Sequence, residues 1–102
     1  MSKVKYSNIY KLKKSASTAD FLIAFENLVN GHISKQKGFV SAEIGVDGEF
    51  WGDCIVFETM EDVKSFLEEA KTPNDLALTF YAFLNLSSCR TNIFSIEKSY
   101  SK

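Results

Sequence analysis

The sequence predicts an α+β domain of the ferredoxin-like kind: a β-α-β-β-α-β antiparallel sheet with its helices on one face. Three observations carry this expectation. Segments of period two and period 3.6 follow one another in that order. Two helix starts, at Ser17 and Thr59, each place an acid three residues on, at Asp20 and Asp62. Between them, Asp47-Gly48 gives a tight-hairpin signal, because glycine takes a positive φ without a steric penalty. The length of 102 residues suits one domain, read as residues 1–102.

The elements follow in order. In residues 4–12, Val4, Tyr6, Asn8, Tyr10 and Leu12 alternate with more polar neighbours, as in a half-buried strand. Residues 18–35 read as a helix, with Phe21, Phe25, Leu28 and His32 at helical spacing and Gly31 weakening the last turn. Ser17 caps it: a hydroxyl takes a free N–H and the Asp20 carboxylate sits at the positive end. Gly38 breaks the pattern, 39–46 form a strand, and 49–58 return. A second helix starts at Thr59 and carries Val63, Phe66, Leu67 and Ala70 on one stripe. Thr72-Pro73-Asn74-Asp75 reads as a third start, with Thr72 as cap and Pro73 in the first turn. Residues 74–85 are apolar on nearly all sides and must be buried or lie at an interface. Residues 88–98 form the last strand.

The third strand is apolar on both faces, with Trp51, Asp53, Ile55 and Phe57 on one and Phe50, Gly52, Cys54 and Val56 on the other. Helices cover one face, so a second copy packing sheet to sheet, a homodimer, is the economical cover for the other. In the usual strand order, Cys54 and Cys89 lie two strands apart, about 9–10 Å. That exceeds disulfide reach, so both are expected as free, buried thiols.

Composition excludes several classes. Basic and acidic residues number 12 and 13 and are interspersed, so there is no basic stripe for nucleic acid. No apolar run is long enough to span a bilayer, and the first residues lack a signal-like apolar stretch; a cytoplasmic protein away from membranes is expected. Two cysteines and one histidine, far apart in sequence, do not make a zinc site, and no metal is expected. His32 reads as a solvated helix-end residue. Aromatic residues make up 14% of the chain, rich for its length, and nine are Phe. A packed core accounts for most of them; a pocket for an aromatic ligand is the sharper use.

Three stretches then resemble the antibiotic-biosynthesis-monooxygenase-like domains of the dimeric α/β-barrel superfamily. They are Ser34-Lys35-Gln36-Lys37-Gly38-Phe39-Val40-Ser41, Trp51-Gly52-Asp53, and Phe57-Glu58-Thr59-Met60-Glu61-Asp62-Val63, with Phe80-Tyr81-Ala82-Phe83-Leu84 in support. The resemblance covers most of the chain. It implies a dimeric α/β barrel with a pocket between sheet and helices in each subunit. Some members oxidise aromatic quinols with O2 and no metal or flavin; others degrade haem. Haem-degrading members use a first-strand Asn, a third-strand Trp and a second-helix His. Asn8 matches the first, but Phe57 stands in the Trp position and the second helix has no His. The haem branch is therefore disfavoured, and no cofactor is expected.

Cofactor-free oxidation needs a pocket that deprotonates an electron-rich aromatic and stabilises its anion. Asn8, Asp53 and Trp51 are the candidate catalytic residues. Tyr6, Tyr10, Phe57 and Asn92 are the candidate pocket residues. Desolvation beside Trp51 would raise the Asp53 pKa toward a useful base. Two functions fit: a cofactor-independent monooxygenase of a small quinol-type aromatic, or a non-catalytic dimeric domain that binds a small apolar ligand. No nucleophile–base pair or phosphate loop in the sequence forces catalysis.

Overall fold

The computed structural model describes residues 2–102. The order is β1 (Val4–Leu12), α1 (Thr18–Gly31), a 3-10 turn (Ile33–Lys35), β2 (Phe39–Asp47), β3 (Phe50–Phe57), α2 (Met60–Glu69), α3 (Asp75–Tyr81) and β4 (Leu84–Ser95). All neighbouring strands pair antiparallel, in the order β2-β3-β1-β4. This is the ferredoxin-like topology.

One part of the expected fold class is corrected. The sheet is open and does not close into a barrel: β2 and β4 are its two edges, with β3 and β1 between them. Closure of a sheet requires tilt and stagger accumulated over about eight strands, and four cannot supply it.

The helix starts at Ser17 and Thr59 are as expected. The Ser17 hydroxyl accepts from the Asp20 N–H (3.2 Å), and that of Thr59 from the Asp62 N–H (3.1 Å). The third start differs. Asn74, not Thr72, caps α3, its side chain accepting from the Ala77 N–H (2.9 Å). An Asn side chain two residues further on outcompetes the Thr, and α3 shrinks to seven residues. That shortening releases Leu84 to begin β4 four residues earlier than expected. The first helix also ends early, at Gly31. The side chain of Leu76 approaches so closely that a Cβ at Gly31 would sit 2.6 Å from it.

Gly38 has φ +81°, and the Asp62 carboxylate occupies the space where a Cβ would lie. The chain can therefore enter β2 directly over the first turn of α2 only with glycine here. The β2–β3 turn holds Gly48 and Glu49 between the paired Asp47 and Phe50.

The core lies between the sheet and the helices. Val4, Tyr10, Phe21, Phe57 and Val63 are fully enclosed, and Phe25, Leu28, Ile33, Ile55, Phe66, Phe80 and Leu84 pack around them. Burying each large apolar side chain contributes about 1.5–3 kcal/mol. Phe21 is the hub: its ring meets Trp51 at 5.1 Å, Phe80 at 5.4 Å and Phe83 at 6.1 Å between centroids. The odd-numbered residues 51–57 of β3 face this core. The opposite face of the sheet is uncovered in the single chain. Cys54 lies there, half-buried, while Cys89 is exposed on the helix side. Both are free, and neither is the buried thiol expected, because Cys54 sits on the open face and Cys89 on an edge strand.

Candidate functional site

Three strands bring polar side chains together on the helix-facing side of the sheet. In register, Asn8 of β1 stands opposite Asp53 of β3 and opposite Thr91 of β4. Tyr10 is two residues along β1, on the same face. Their side chains form one network. Asn8 Nδ2 donates to Asp53 Oδ1 (3.0 Å), Tyr10 Oη donates to Asp53 Oδ2 (2.6 Å), and Thr91 Oγ1 donates to Asn8 Oδ1 (2.6 Å). The network thus runs inward from an exposed threonine to a carboxylate only 5% exposed.

Burial dominates the electrostatics. Desolvation pushes the Asp53 carboxyl above the usual carboxylate range, and the hydrogen bonds from Tyr10 and Asn8 only partly oppose it. Burial and the nearby Asp53 push the Tyr10 phenol well above its ordinary range. Tyr6 and Tyr81 are raised too, by burial first and by Asp53 among the rest.

These groups line a cavity of about 250 Å³ between sheet and helices. Its walls are apolar, with Phe25, Leu28, Ile55, Phe66 and Phe80 prominent. It falls just below the ~300 Å³ at which small-molecule sites usually begin, so it suits a one- or two-ring molecule. A β-bulge shapes one side. Lys11 pairs with Asn85 and Ile9 with Arg90, so four β4 residues oppose Tyr10 alone. Ser88 fills the break in the ladder, accepting from the Lys11 N–H (2.9 Å) and donating to the Asn85 carbonyl (2.6 Å). Leu86 and Cys89 of the bulge line the cavity.

The sequence-predicted residues divide. Asn8, Asp53, Tyr6 and Tyr10 all line the cavity. Trp51 shares their face, opposite Tyr10, but packs edge-on against Phe21 and lines no part of the cavity. Phe57 is fully buried beside Phe66, at 5.3 Å between centroids, below the cavity wall. Asn92 pairs with Ser7 on the uncovered face; strand parity puts Thr91 in its place. His32 is also not the solvated residue expected. Its side chain is 19% exposed and lines the cavity, because α1 ends at Gly31 and turns it inward. Sequence reasoning missed Thr91, Tyr81 and Glu69 as lining residues. The β4 bulge and the α2–α3 connection place them, and no local pattern announces either.

No cluster of three or more His, Cys, Asp or Glu able to hold a metal occurs among the described residues. No helix among them is long and apolar enough to cross a membrane.

The fold is that of the antibiotic-biosynthesis-monooxygenase fold family. SnoaB, a cofactor-independent oxygenase from Streptomyces nogalater, superposes with a TM-score of 0.78 at 13% identity over 100% of both chains. A Bacillus cereus protein provisionally named an antibiotic biosynthesis monooxygenase gives 0.67 at 14% identity, again over 100% of both. A dimeric Bacteroides fragilis protein of unknown function and ferredoxin-like fold gives 0.64 at 16% identity, over 92% of this chain and 96% of the other. No protein-family model and no curated protein matches the sequence. At these identities the likeness concerns the fold alone.

The raised Asp53 pKa has a consequence for stability. A carboxyl with a higher pKa folded than unfolded binds its proton more tightly in the native state. Its contribution is fully present below the unfolded pKa of about 3.9 and is lost as pH rises through the folded pKa. Denaturant titrations of the wild type and Asp53→Asn should therefore diverge from about pH 4 upward, the variant gaining relative stability as pH rises. A difference that stays constant with pH would contradict the raised pKa.

Proposed function

We propose that the chain is a cofactor-independent monooxygenase of a small, electron-rich, quinol-type aromatic. The observation that carries this reading is the Asp53 carboxylate, desolvated and fixed by two hydrogen bonds on the floor of an apolar cavity. An ordinary aspartate is about 6 pKa units below a phenol, so taking its proton would be uphill by about 8 kcal/mol. Burial narrows that gap from the aspartate side. The hydroxyl of the bound aromatic gives its proton to Asp53, and the resulting anion reduces O2. One oxygen atom enters at a ring C–H carbon ortho or para to that hydroxyl, as a quinone carbonyl. The other leaves as water with that ring hydrogen and the hydroxyl proton returned from Asp53, so the substrate supplies all four electrons. Tyr6 and Tyr81, held as neutral phenols, are the groups able to stabilise the anion.

A second reading also has an observation behind it. Both Asp53 oxygens already accept hydrogen bonds from the chain, which suits a structural carboxylate in a pocket that binds an apolar ligand without turnover. Oxygen uptake over a panel of hydroquinones and dihydroxynaphthalenes separates the two. The monooxygenase reading expects uptake that falls at least ~10-fold in Asp53→Asn and in Asn8→Ala, a loss of ~1.4 kcal/mol. Uptake unaffected by both removes these residues from the chemistry. Ligand-induced thermal stabilisation without uptake supports the binding reading.

The uncovered sheet face is proposed as the contact of a homodimer. It mixes exposed Ile9, Phe50 and Phe94 with Lys5, Lys11, Arg90, Glu43 and Asp47. Both charge signs on one face suit a two-fold, self-complementary contact. Light scattering should give about twice the chain mass of 11.5 kDa, and Phe94→Asp should halve it. A wild-type monomer at micromolar concentration would remove this proposal.

A further inference from the structure

The oxidation reading uses only the deep end of the cavity. A second polar group stands at the mouth, built by different elements. His32 follows the last turn of α1 and Glu69 ends α2; both line the cavity. Asp53 and Glu69 are its buried and its half-exposed carboxylates, 5% exposed for the residue in the first and 56% for the side chain in the second. Phe66 packs against both His32 and Tyr6, its ring centroid 6.3 Å from that of the first and 6.0 Å from that of the second.

The His32 ring is held in place. Gln36 Nε2 lies 3.4 Å from Nδ1 and donates to the His32 carbonyl at 3.3 Å. In the tautomer in which Nδ1 accepts from Gln36, the ring N–H lies on Nε2. That atom faces Glu69 Oε1 across 4.0 Å. The gap exceeds the ~3.2 Å limit of a good N–H···O bond, so donor and acceptor face each other without joining. Among the described residues, no hydrogen bond reaches the Glu69 carboxylate.

We propose that His32 and Glu69 form a hydroxyl-reading pair at the cavity mouth, which selects ligands carrying a second hydroxyl at the end away from Asp53. A hydroxyl is the small group that is both donor and acceptor. Placed in the gap, it accepts from His32 Nε2–H and donates to Glu69. A carbonyl there leaves the carboxylate unserved, and an ammonium group leaves the imidazole N–H unserved. The ligand class is a one- or two-ring aromatic with hydroxyls at opposite ends. This deepens the proposed function and rests on the cavity being a ligand site, not on its chemistry.

The test is binding under anaerobic conditions, read by the intrinsic fluorescence of naphthols. A dihydroxynaphthalene with its hydroxyls on opposite rings is compared with the naphthol that lacks one of them. Wild type should bind the diol about 10-fold more tightly, the scale of one hydrogen bond to a charged, partly solvated group. In Glu69→Ala the preference should fall to about 3-fold, because the His32 Nε2–H still serves the hydroxyl, with naphthol affinity unchanged. Glu69 is exposed, so its removal leaves the core intact; Glu69→Asp should recover part of the preference. Equal affinities in wild type, or a preference undiminished in Glu69→Ala, would overturn the proposal, as would failure of both naphthols to bind. A diol preference without oxygen uptake would sink the oxidation reading and leave this one standing. Uptake without the preference would do the reverse.

Discussion

The buried Asp53 carboxylate is the constraint on which the rest of the site depends. A carboxylate removed from water costs several kcal/mol unless its oxygens find partners. Here Tyr10 and Asn8 supply one partner for each oxygen. They can do so only because β1 lies between β3 and β4 in one fixed register, with Asn8 opposite both Asp53 and Thr91. A one-residue slip of either pairing would turn half of the network to the other face. The register is held by the apolar residues on the same side, Val4 and Tyr10 on β1 and Ile55 and Phe57 on β3, all buried under the helices. Packing and polar chemistry thus specify the same alignment.

The helices create the space that the network faces. The stripe of α1 buries Phe21, Phe25 and Leu28, and α3 adds Phe80; Phe25, Leu28 and Phe80 line the cavity together with Tyr6, Asn8, Tyr10 and Asp53 of the sheet. The early end of α1 at Gly31 sets the shape of the mouth. Leu76 of α3 closes against that glycine, and His32 turns into the cavity where a longer helix would have carried it past. The bulge of β4 does the same on the opposite side through Leu86 and Cys89. The site therefore has a rigid floor on central strands and a rim made of helix ends and an irregular edge strand. Precise geometry belongs to the floor and adaptability to the rim.

Much of the fold is legible in the sequence. The alternation in residues 4–12 and 51–57 correctly sorts Asn8, Tyr10 and Asp53 onto one face, because strand parity is a local property. The capping signals at Ser17 and Thr59 are equally local. What escapes the sequence is competition between neighbours and long-range register. Asn74 displaces Thr72 as the cap of α3, and the β4 bulge decides that Thr91 rather than Asn92 meets Asn8. The barrel implied by the family resemblance is absent because the sheet ends at two free edges. Trp51 and Phe57, which the resemblance points to, pack against Phe21 and Phe66 and do not line the cavity. Resemblance carried the fold further than it carried the residues.

A fold shared at 13% identity with a cofactor-independent oxygenase does not by itself define chemistry. What this chain itself offers is a desolvated carboxylate, hydrogen-bonded by a tyrosine and an asparagine, inside an apolar cavity. Carbon-13 NMR titration of the Asp53 side-chain carboxyl, with its resonance assigned by its loss in Asp53→Asn, measures that property directly. The account predicts a midpoint clearly above the ~3.9 of an unperturbed aspartate. A midpoint at or below that value would show that the hydrogen bonds outweigh burial, and Asp53 would then be a structural anchor with no capacity to take a ligand's proton.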